Sequence, residues 1–268
     1  MAQSDKVFSG PIAAIYDGFM GPIFFEPFAR DLAKRIAALS PATILETAAG
    51  SGISTEAIVS ALPAAKLTAT DLNQAMIDVA KTKPVLAKVA WQACDATNLP
   101  FADASFDVVA SQFGVMFFPD KLMAYRDTHR VLRRGGHFVF NVWDKLEANP
   151  APSILLNTLA KIFPDDPPSF MRRVPHGYRE ASEIAQTLNA AGFSKVDAVT
   201  FQLPCQAASA RHLAIALCQG TPTRPEIEQR EPEGLNRVTA AVEAAFVNEF
   251  GQGEVKTTMQ AIVFTATF

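Results

Sequence analysis

The sequence predicts an α/β protein built on a mostly parallel sheet with helices on both faces. Three observations carry that prediction. Between residues 41 and 144 short apolar runs alternate with amphipathic stretches, the links between them are short, and the runs are unbroken, as in Asp107-Val-Val-Ala and Phe138-Val-Phe. Repeated β–α alternation with short links implies parallel pairing, and parallel strands covered on both faces read as continuous apolar runs.

Residues 1–40 read as helical, with Phe25, Phe28, Leu32 and Ile36 at helical spacing and Arg30, Asp31, Lys34 and Arg35 opposite them. Ser40-Pro41 stops that helix, because the residue before proline avoids the α region. The first strand, Thr43 to Glu46, ends in a carboxylate. Gly50-Ser51-Gly52 then leads into a helix from Ile53 to Leu62. Lys66 to Asp71 is the second strand, followed by a helix with Met76, Ile77 and Ala80 inward. Val89 to Ala93 and Phe106 to Ala110 are the third and fourth strands. A helix from Asp120 to Arg133 is expected to stop at Gly135-Gly136, before a fifth strand from His137 to Val142.

After Asp144 the rhythm breaks. Residues 145–180 are proline-rich, with a helix over Ser153 to Ile162, and a second helix over Ser182 to Ala191 ends at Gly192. Lys195 to Leu203 and Met259 to Phe268 read as strands that rejoin the sheet, and Leu235 to Phe250 as an amphipathic helix. The expected organisation is an N-terminal helical cap (1–40), a ligand-binding core (41–144), a helical, proline-rich insertion (145–193) and a C-terminal segment (194–268). The last segment supplies strands with a helical excursion between them.

Composition narrows the function. The chain has 268 residues, 24 Lys+Arg against 27 Asp+Glu, and 20 Phe beside 3 Tyr and 2 Trp. A near-neutral balance argues against a nucleic-acid binder, which needs a phosphate-tracking basic face. Cys94, Cys205 and Cys218 share no short spacing, so neither a disulfide framework nor a zinc site is signalled. The longest apolar run, Val108 to Phe118, falls short of a membrane span and is interrupted by Ser111 and Gln112. With Asp5 and Lys6 early and no long apolar region behind them, nothing reads as a signal peptide. A cytoplasmic enzyme with a small-molecule partner and no integral membrane segment is the expectation; the oligomeric state stays open.

Three carboxylates end three successive strands: Glu46, Asp71 and Asp95, 25 and then 24 residues apart. In an open α/β sheet, ligands bind outside the carboxyl ends of the strands where strand order reverses, so these acids converge on one crevice. The glycine-rich turn lets backbone approach a ligand, and Asp71 sits where a ribose-binding carboxylate belongs. The dinucleotide fingerprint does not fit. Gly50-Ser-Gly-Ile-Ser-Thr55 has threonine where the third glycine is needed, and Glu46 would repel a pyrophosphate. A cationic ligand without phosphate, such as an adenosyl sulfonium with an amino-acid tail, matches better.

At these residues the chain resembles class I S-adenosylmethionine-dependent methyltransferases. Ile44-Leu-Glu-Thr-Ala-Ala-Gly-Ser-Gly52 is similar to that family's first motif. Ala69-Thr-Asp-Leu-Asn-Gln-Ala-Met76, Cys94-Asp-Ala96 with Leu99-Pro-Phe101, Ser105-Phe-Asp-Val-Val109 and Arg130-Val-Leu-Arg-Arg-Gly-Gly136 follow in the family's order. Tyr16-Asp17, Gly177-Tyr178 and Ala191-Gly-Phe193 resemble the small-molecule branch near ubiquinone/menaquinone-type enzymes. The resemblance implies a Rossmann-like sheet of about seven strands, the last antiparallel, with a helical cap. It also implies S-adenosyl-L-methionine as cofactor and S-adenosylhomocysteine as product. By it, Glu46 and the backbone of Ala48, Gly50 and Gly52 face the methionine part, Asp71 accepts from both ribose hydroxyls, and Leu72 packs on adenine. Asp95 accepts from the adenine amine, the Ala96 amide donates to the ring, and Gln112 lies near the methionine amine. Ala48 departs from the pattern, standing where the family usually has glycine.

No catalytic dyad is evident. His176, in Arg172-Arg-Val-Pro-His-Gly-Tyr178, is a candidate substrate contact or base, and Tyr16 with Phe19, Met20, Phe24 and Phe25 either covers the methyl donor or packs as an ordinary helix. His129, His137 and His212 read as packing or surface residues, and no histidine pair has metal-ligand spacing. Transfer of a methyl group to a small, apolar or aromatic acceptor at oxygen, carbon or nitrogen is the expected reaction. A nicotinamide oxidoreductase, or a non-catalytic cofactor-binding module of the same fold, is the alternative.

Overall fold

The computed structural model of the chain describes residue 12 and residues 15–268; Asp5 and Lys6 and the start of the expected N-terminal helix lie outside the described residues. A π-helix (Tyr16–Phe25) runs into α1 (Glu26–Ala38), and the alternating segment follows: β1 (Thr43–Glu46), α2 (Ile53–Ala61), β2 (Lys66–Asp71), α3 (Gln74–Lys81), β3 (Ala90–Ala93) and β4 (Phe106–Gln112). After these come α4 (Lys121–Val131), β5 (Leu132–Trp143), α5 (Pro150–Ile162), α6 (Phe170–Arg173) and α7 (Ala181–Ala191). The chain closes with β6 (Lys195–Ala207), α8 (Ala210–Gln219), α9 (Thr223–Arg230), α10 (Leu235–Phe250) and β7 (Val255–Thr267).

The strands form one seven-stranded sheet in the order β3-β2-β1-β4-β5-β7-β6. β1 pairs in parallel with both β2 and β4, so strand order reverses at β1, while β7 runs antiparallel to β5. This is the mostly parallel, Rossmann-like sheet with an antiparallel last strand that the sequence predicts.

Residue contacts gather the chain into two units. One contains Phe28–Trp143, Tyr178–Phe201 and Ala261–Phe268. Its core lies on both faces of the sheet, because successive strand residues point to opposite sides. Leu32, Ala33 and Ile36 of α1 and Ile58 of α2 cover Ile44, Leu67, Val108, Ala110 and Val139. On the other face Tyr125 of α4 packs against Phe138 and Phe140, with ring centroids 5.7 and 5.8 Å away. Phe28 sits at the centre of an aromatic group, edge-on to Phe113 (5.5 Å) and Trp143 (5.0 Å) and tilted against Phe201 (5.4 Å).

The second unit includes Asp144–Gly177 and Gln202–Gln260. Its core is helical, with Leu155 and Leu159 of α5, Leu213 and Leu217 of α8, and Val238, Val242 and Phe246 of α10 all buried. Pro150 and Pro152 begin α5 rather than precede it, because N–H groups of a first turn have no helical partner to lose.

Another boundary differs from the sequence reading. Gly135-Gly136 lies inside β5 and does not end the preceding helix, which stops at Val131. Gly135 holds φ +79°, and the β4–β5 register shifts between Phe106 and Val108, so the pair marks a bulge. A Cβ on Gly136 would come within 2.8 Å of the Arg133 carbonyl and 2.9 Å of that of Asp107. The histidines pack as expected: His129 lies against Phe268 (3.9 Å) and Phe193, and His212 is edge-on to Phe19 (4.3 Å).

Because Phe28 is fully buried among three rings, Phe28→Ala is expected to cost about 3–5 kcal/mol, read as a shift in the denaturant midpoint.

Candidate cofactor-binding site

Four adjacent parallel strands deliver the predicted residues to one edge of the sheet. Glu46, Asp71 and Gln112 are the last residues of β1, β2 and β4, and Asp95 lies two residues beyond β3. The glycine turn after β1 is tied to both neighbouring strands. Thr47 N–H donates to the Ala110 carbonyl (2.9 Å) and Ser111 Oγ to the Thr47 carbonyl (3.0 Å), both from β4. On the β2 side, Ala49 N–H donates to the Thr70 carbonyl (2.9 Å) and Gly50 N–H to Asp71 Oδ2 (2.8 Å). Gly52 opens α2 at φ +85°, where a Cβ would meet Leu86 Cδ1 at 2.7 Å.

Glu46 is wholly buried and accepts hydrogen bonds from Ser54 Oγ on one oxygen and Thr55 Oγ1 (2.7 Å) on the other. Burial pushes its pKa up to about 7; the two hydroxyls oppose that rise and the charge of Asp71 adds to it. A facing cation would favour the ionised form. Ser54 and Thr55 escape the sequence reading, although two hydroxyls in the first turn after a glycine turn are the signal that could have found them.

Asp71 is also raised by burial, against the amides of Asn73, Gly50 and Leu72. Its Oδ1 accepts from Asn73 N–H (2.8 Å) and its Oδ2 from Gly50 N–H (2.8 Å), and the carboxylate's four lone-pair sites exceed the three amides, which leaves acceptor capacity for a ligand hydroxyl. Leu72 beside it is 57% exposed, an apolar face next to a carboxylate. Asp95 Oδ1 accepts from the amide and hydroxyl of Thr97, both at 2.8 Å, and Ala96 follows it in the same turn.

Ala48 holds φ +53°, a strained conformation for a residue with a Cβ. Gly114 explains how it is housed: a Cβ there would collide with the Ala48 Cβ and come within 2.7 Å of Ser111 Oγ. The methyl group that replaces the family's usual hydrogen is matched by a bare Cα opposite. Gln112 pairs in register with Asn141, whose Oδ1 accepts from Phe113 N–H (3.0 Å) and holds Phe113 at φ +52°.

His176 and Tyr16 belong to the other unit. His176 is 2% exposed with Nδ1 2.7 Å from the Asp144 carbonyl. A carbonyl only accepts, so Nδ1 carries the proton and Nε2 is the basic nitrogen. Tyr16 stacks on Phe25 at 4.9 Å. Among the described residues no group of three or more His, Cys, Asp or Glu could hold a metal ion, and no helix is long and apolar enough to cross a membrane.

An acid with a raised folded-state pKa holds its proton more tightly folded than unfolded. The stability share of Glu46 is therefore full below about 4.5 and is lost as pH rises to about 7. Over that window the loss is on the order of 3 kcal/mol. Glu46→Gln is expected to flatten this part of the pH dependence, measured by urea unfolding at a series of pH values.

Residues 45–140 match the family model for a methyltransferase domain. The chain is similar to demethylmenaquinone methyltransferases: 38% identical to that of Chlorobaculum parvum over 93 residues, 35% of this chain and 37% of the relative. To that of Staphylococcus aureus it is 32% identical over 142 residues, 51% of this chain and 58% of the relative. The matched stretch thus spans less than two thirds of these curated relatives. Among solved structures, YcgJ of Bacillus subtilis aligns over 88% of this chain and 97% of its own, with TM-score 0.56 at 19% identity. Phosphoethanolamine N-methyltransferase 2 of Haemonchus contortus, solved with S-adenosyl-L-methionine, aligns over 98% of this chain and 58% of its own, with TM-score 0.60 at 16% identity. Residues 45–140 are thus similar to a methyltransferase domain, the chain is similar in sequence over part of its length to demethylmenaquinone methyltransferases, and it shares the fold of solved methyltransferase-like structures.

Proposed function

We propose that the chain transfers a methyl group from S-adenosylmethionine to a small, apolar or aromatic acceptor, by in-line displacement at an oxygen, carbon or nitrogen atom. The observation that carries this reading is the glycine turn at the point of strand reversal, pinned from β2 and β4 and flanked by Glu46, Asp71 and Asp95. A ribose fits the remaining acceptor capacity of Asp71, an adenine ring fits the exposed face of Leu72, and an ammonium fits a buried acid with a pKa of about 7. Gly50, Gly52 and Ala48 offer backbone, Asp95 and Ala96 the base edge, and Gln112 the methionine end. A pyrophosphate has no place beside Glu46, which disfavours a nicotinamide cofactor.

When bound, the cofactor supplies a methyl group already activated by its positive sulfur. The chain's task is then to align donor and acceptor and to exclude water, which needs little covalent chemistry. An acceptor that must lose a proton needs a base as well. The phenylalanine excess supports an apolar acceptor, since ligand pockets are mostly apolar with a few polar anchors. The names of the curated relatives support the same class.

Asp71→Ala removes two charge-assisted hydrogen bonds and is expected to weaken S-adenosylhomocysteine binding at least tenfold, ~1.4 kcal/mol, by calorimetry. Unchanged affinity would sink the site assignment, and tight binding without turnover across a phenol and quinol panel would sink the enzymatic reading. In the free protein Glu46 keeps its proton below about 7, and a cationic tail needs it ionised. Affinity is therefore expected to rise with pH, by up to about tenfold per unit, until about 7 and then level off. Glu46→Gln abolishes that slope.

A further inference from the structure

The segment from Arg130 to Gly136 matches the family pattern, yet none of its residues has a place in the site described above. Asp127 and Arg130 lie three residues apart on α4 and face the loop that follows β3. Arg130 Nε donates to Asp127 Oδ1 (2.7 Å), which aims the guanidinium. Its NH1 donates to the Phe101 carbonyl (2.7 Å) and to Asp103 Oδ1 (2.8 Å), and its NH2 to the Leu99 carbonyl (2.8 Å). The other Asp127 oxygen accepts from Leu99 N–H. The end of α4 closes the pattern, since Ala104 N–H donates to the Arg130 carbonyl (3.0 Å) and Ser105 N–H to that of Val131 (2.8 Å).

The loop's other ties are local: Phe101 is edge-on to Phe106 (5.2 Å) and Ser105 Oγ donates to the Ala102 carbonyl (2.7 Å). Between Cys94 and Ala104 only Leu99 is buried. At its start, Cys94 N–H donates to the Asp71 carbonyl (3.0 Å), and Asn98 N–H to the Asp95 carbonyl (3.0 Å). The turn carrying Asp95 and Ala96 is thus stretched between β2 and the Asp127–Arg130 pair. A guanidinium reaches three acceptor groups of one loop at once because its donors diverge in a fixed plane; an ammonium on a flexible stem does not.

We propose that Asp127 and Arg130 are positioning residues for the base end of the cofactor site, holding the 95–99 turn where Asp95 and Ala96 read the adenine edge. This rests on the proposed function. The chemistry recognised is a 6-aminopurine, whose exocyclic amine donates to a carboxylate; a 6-oxopurine presents an acceptor there and is repelled.

The test compares S-adenosylhomocysteine with S-inosylhomocysteine by calorimetry on the full chain, wild type and three variants: Arg130→Ala, Arg130→Lys and Asp127→Asn. Wild type is expected to prefer the adenine compound by about tenfold or more, as one charge-assisted hydrogen bond warrants. Each variant is expected to bind the adenine compound more weakly and to bring the ratio of the two affinities toward one. Amide exchange should quicken over residues 96–104 and stay unchanged in β1 and β4. Should Arg130→Ala fail to fold, the Arg130→Lys and Asp127→Asn variants carry the same comparison. Variants that keep the wild-type ratio, or a wild type without base preference, overturn the proposal. A wild type that binds neither compound instead overturns the cofactor reading on which it rests.

Discussion

A carboxylate without water around it governs this molecule's binding edge. Glu46 closes β1 in full burial, and two hydroxyls from the first turn of α2 satisfy it. That requirement fixes where α2 begins, which in turn needs a left-handed glycine at its start and a turn short enough to bring Ser54 and Thr55 back over the strand end. The turn between them is held by amides and carbonyls of β2 and β4, so the backbone is in place before any ligand arrives. A buried acid that is costly to ionise alone becomes easier to ionise beside a cation.

Preorganisation extends outward from this point in graded steps. Asp71 is oriented by Gly50 and Asn73, and Asp95 by Thr97. The turn behind Asp95 is held in its turn by Arg130. Each acid thus accepts at least two hydrogen bonds from its own scaffold. Two of the four non-glycine residues with positive φ among the described residues lie at the same edge, while Ser40 and Ala104 precede β1 and β4. Ala48 and Phe113 both hold positive φ, next to Gly114 and Asn141, which accommodate them. Strain of this kind persists where surrounding structure over-determines the backbone, and it clusters at binding sites.

The phenylalanine excess divides between the two units. Phe28, Phe138, Phe140 and Phe264 fill the layers of the sheet unit, whereas Phe170 and Phe246 serve the helical one. Composition alone cannot make that division, because a buried ring on a strand and one on a helix differ only in what lies opposite.

The alternation of strands and helices and the three acids at strand ends were legible in the sequence, since both follow from periodicity within one short window. Gly135-Gly136 was not. A glycine pair after a helix reads as a stop, and only the pairing of β5 with β4 reveals a bulge whose second residue has no room for a side chain. The fit of Ala48 against Gly114 and the grip of Arg130 on the loop after β3 were likewise unreadable, because each joins segments far apart in the chain. The sequence by itself determined the fold class and the strand ends with their carboxylates, for those depend on local pattern. The tertiary structure alone decided which groups hold those acids in place, because that depends on distances across strands, which no local pattern encodes.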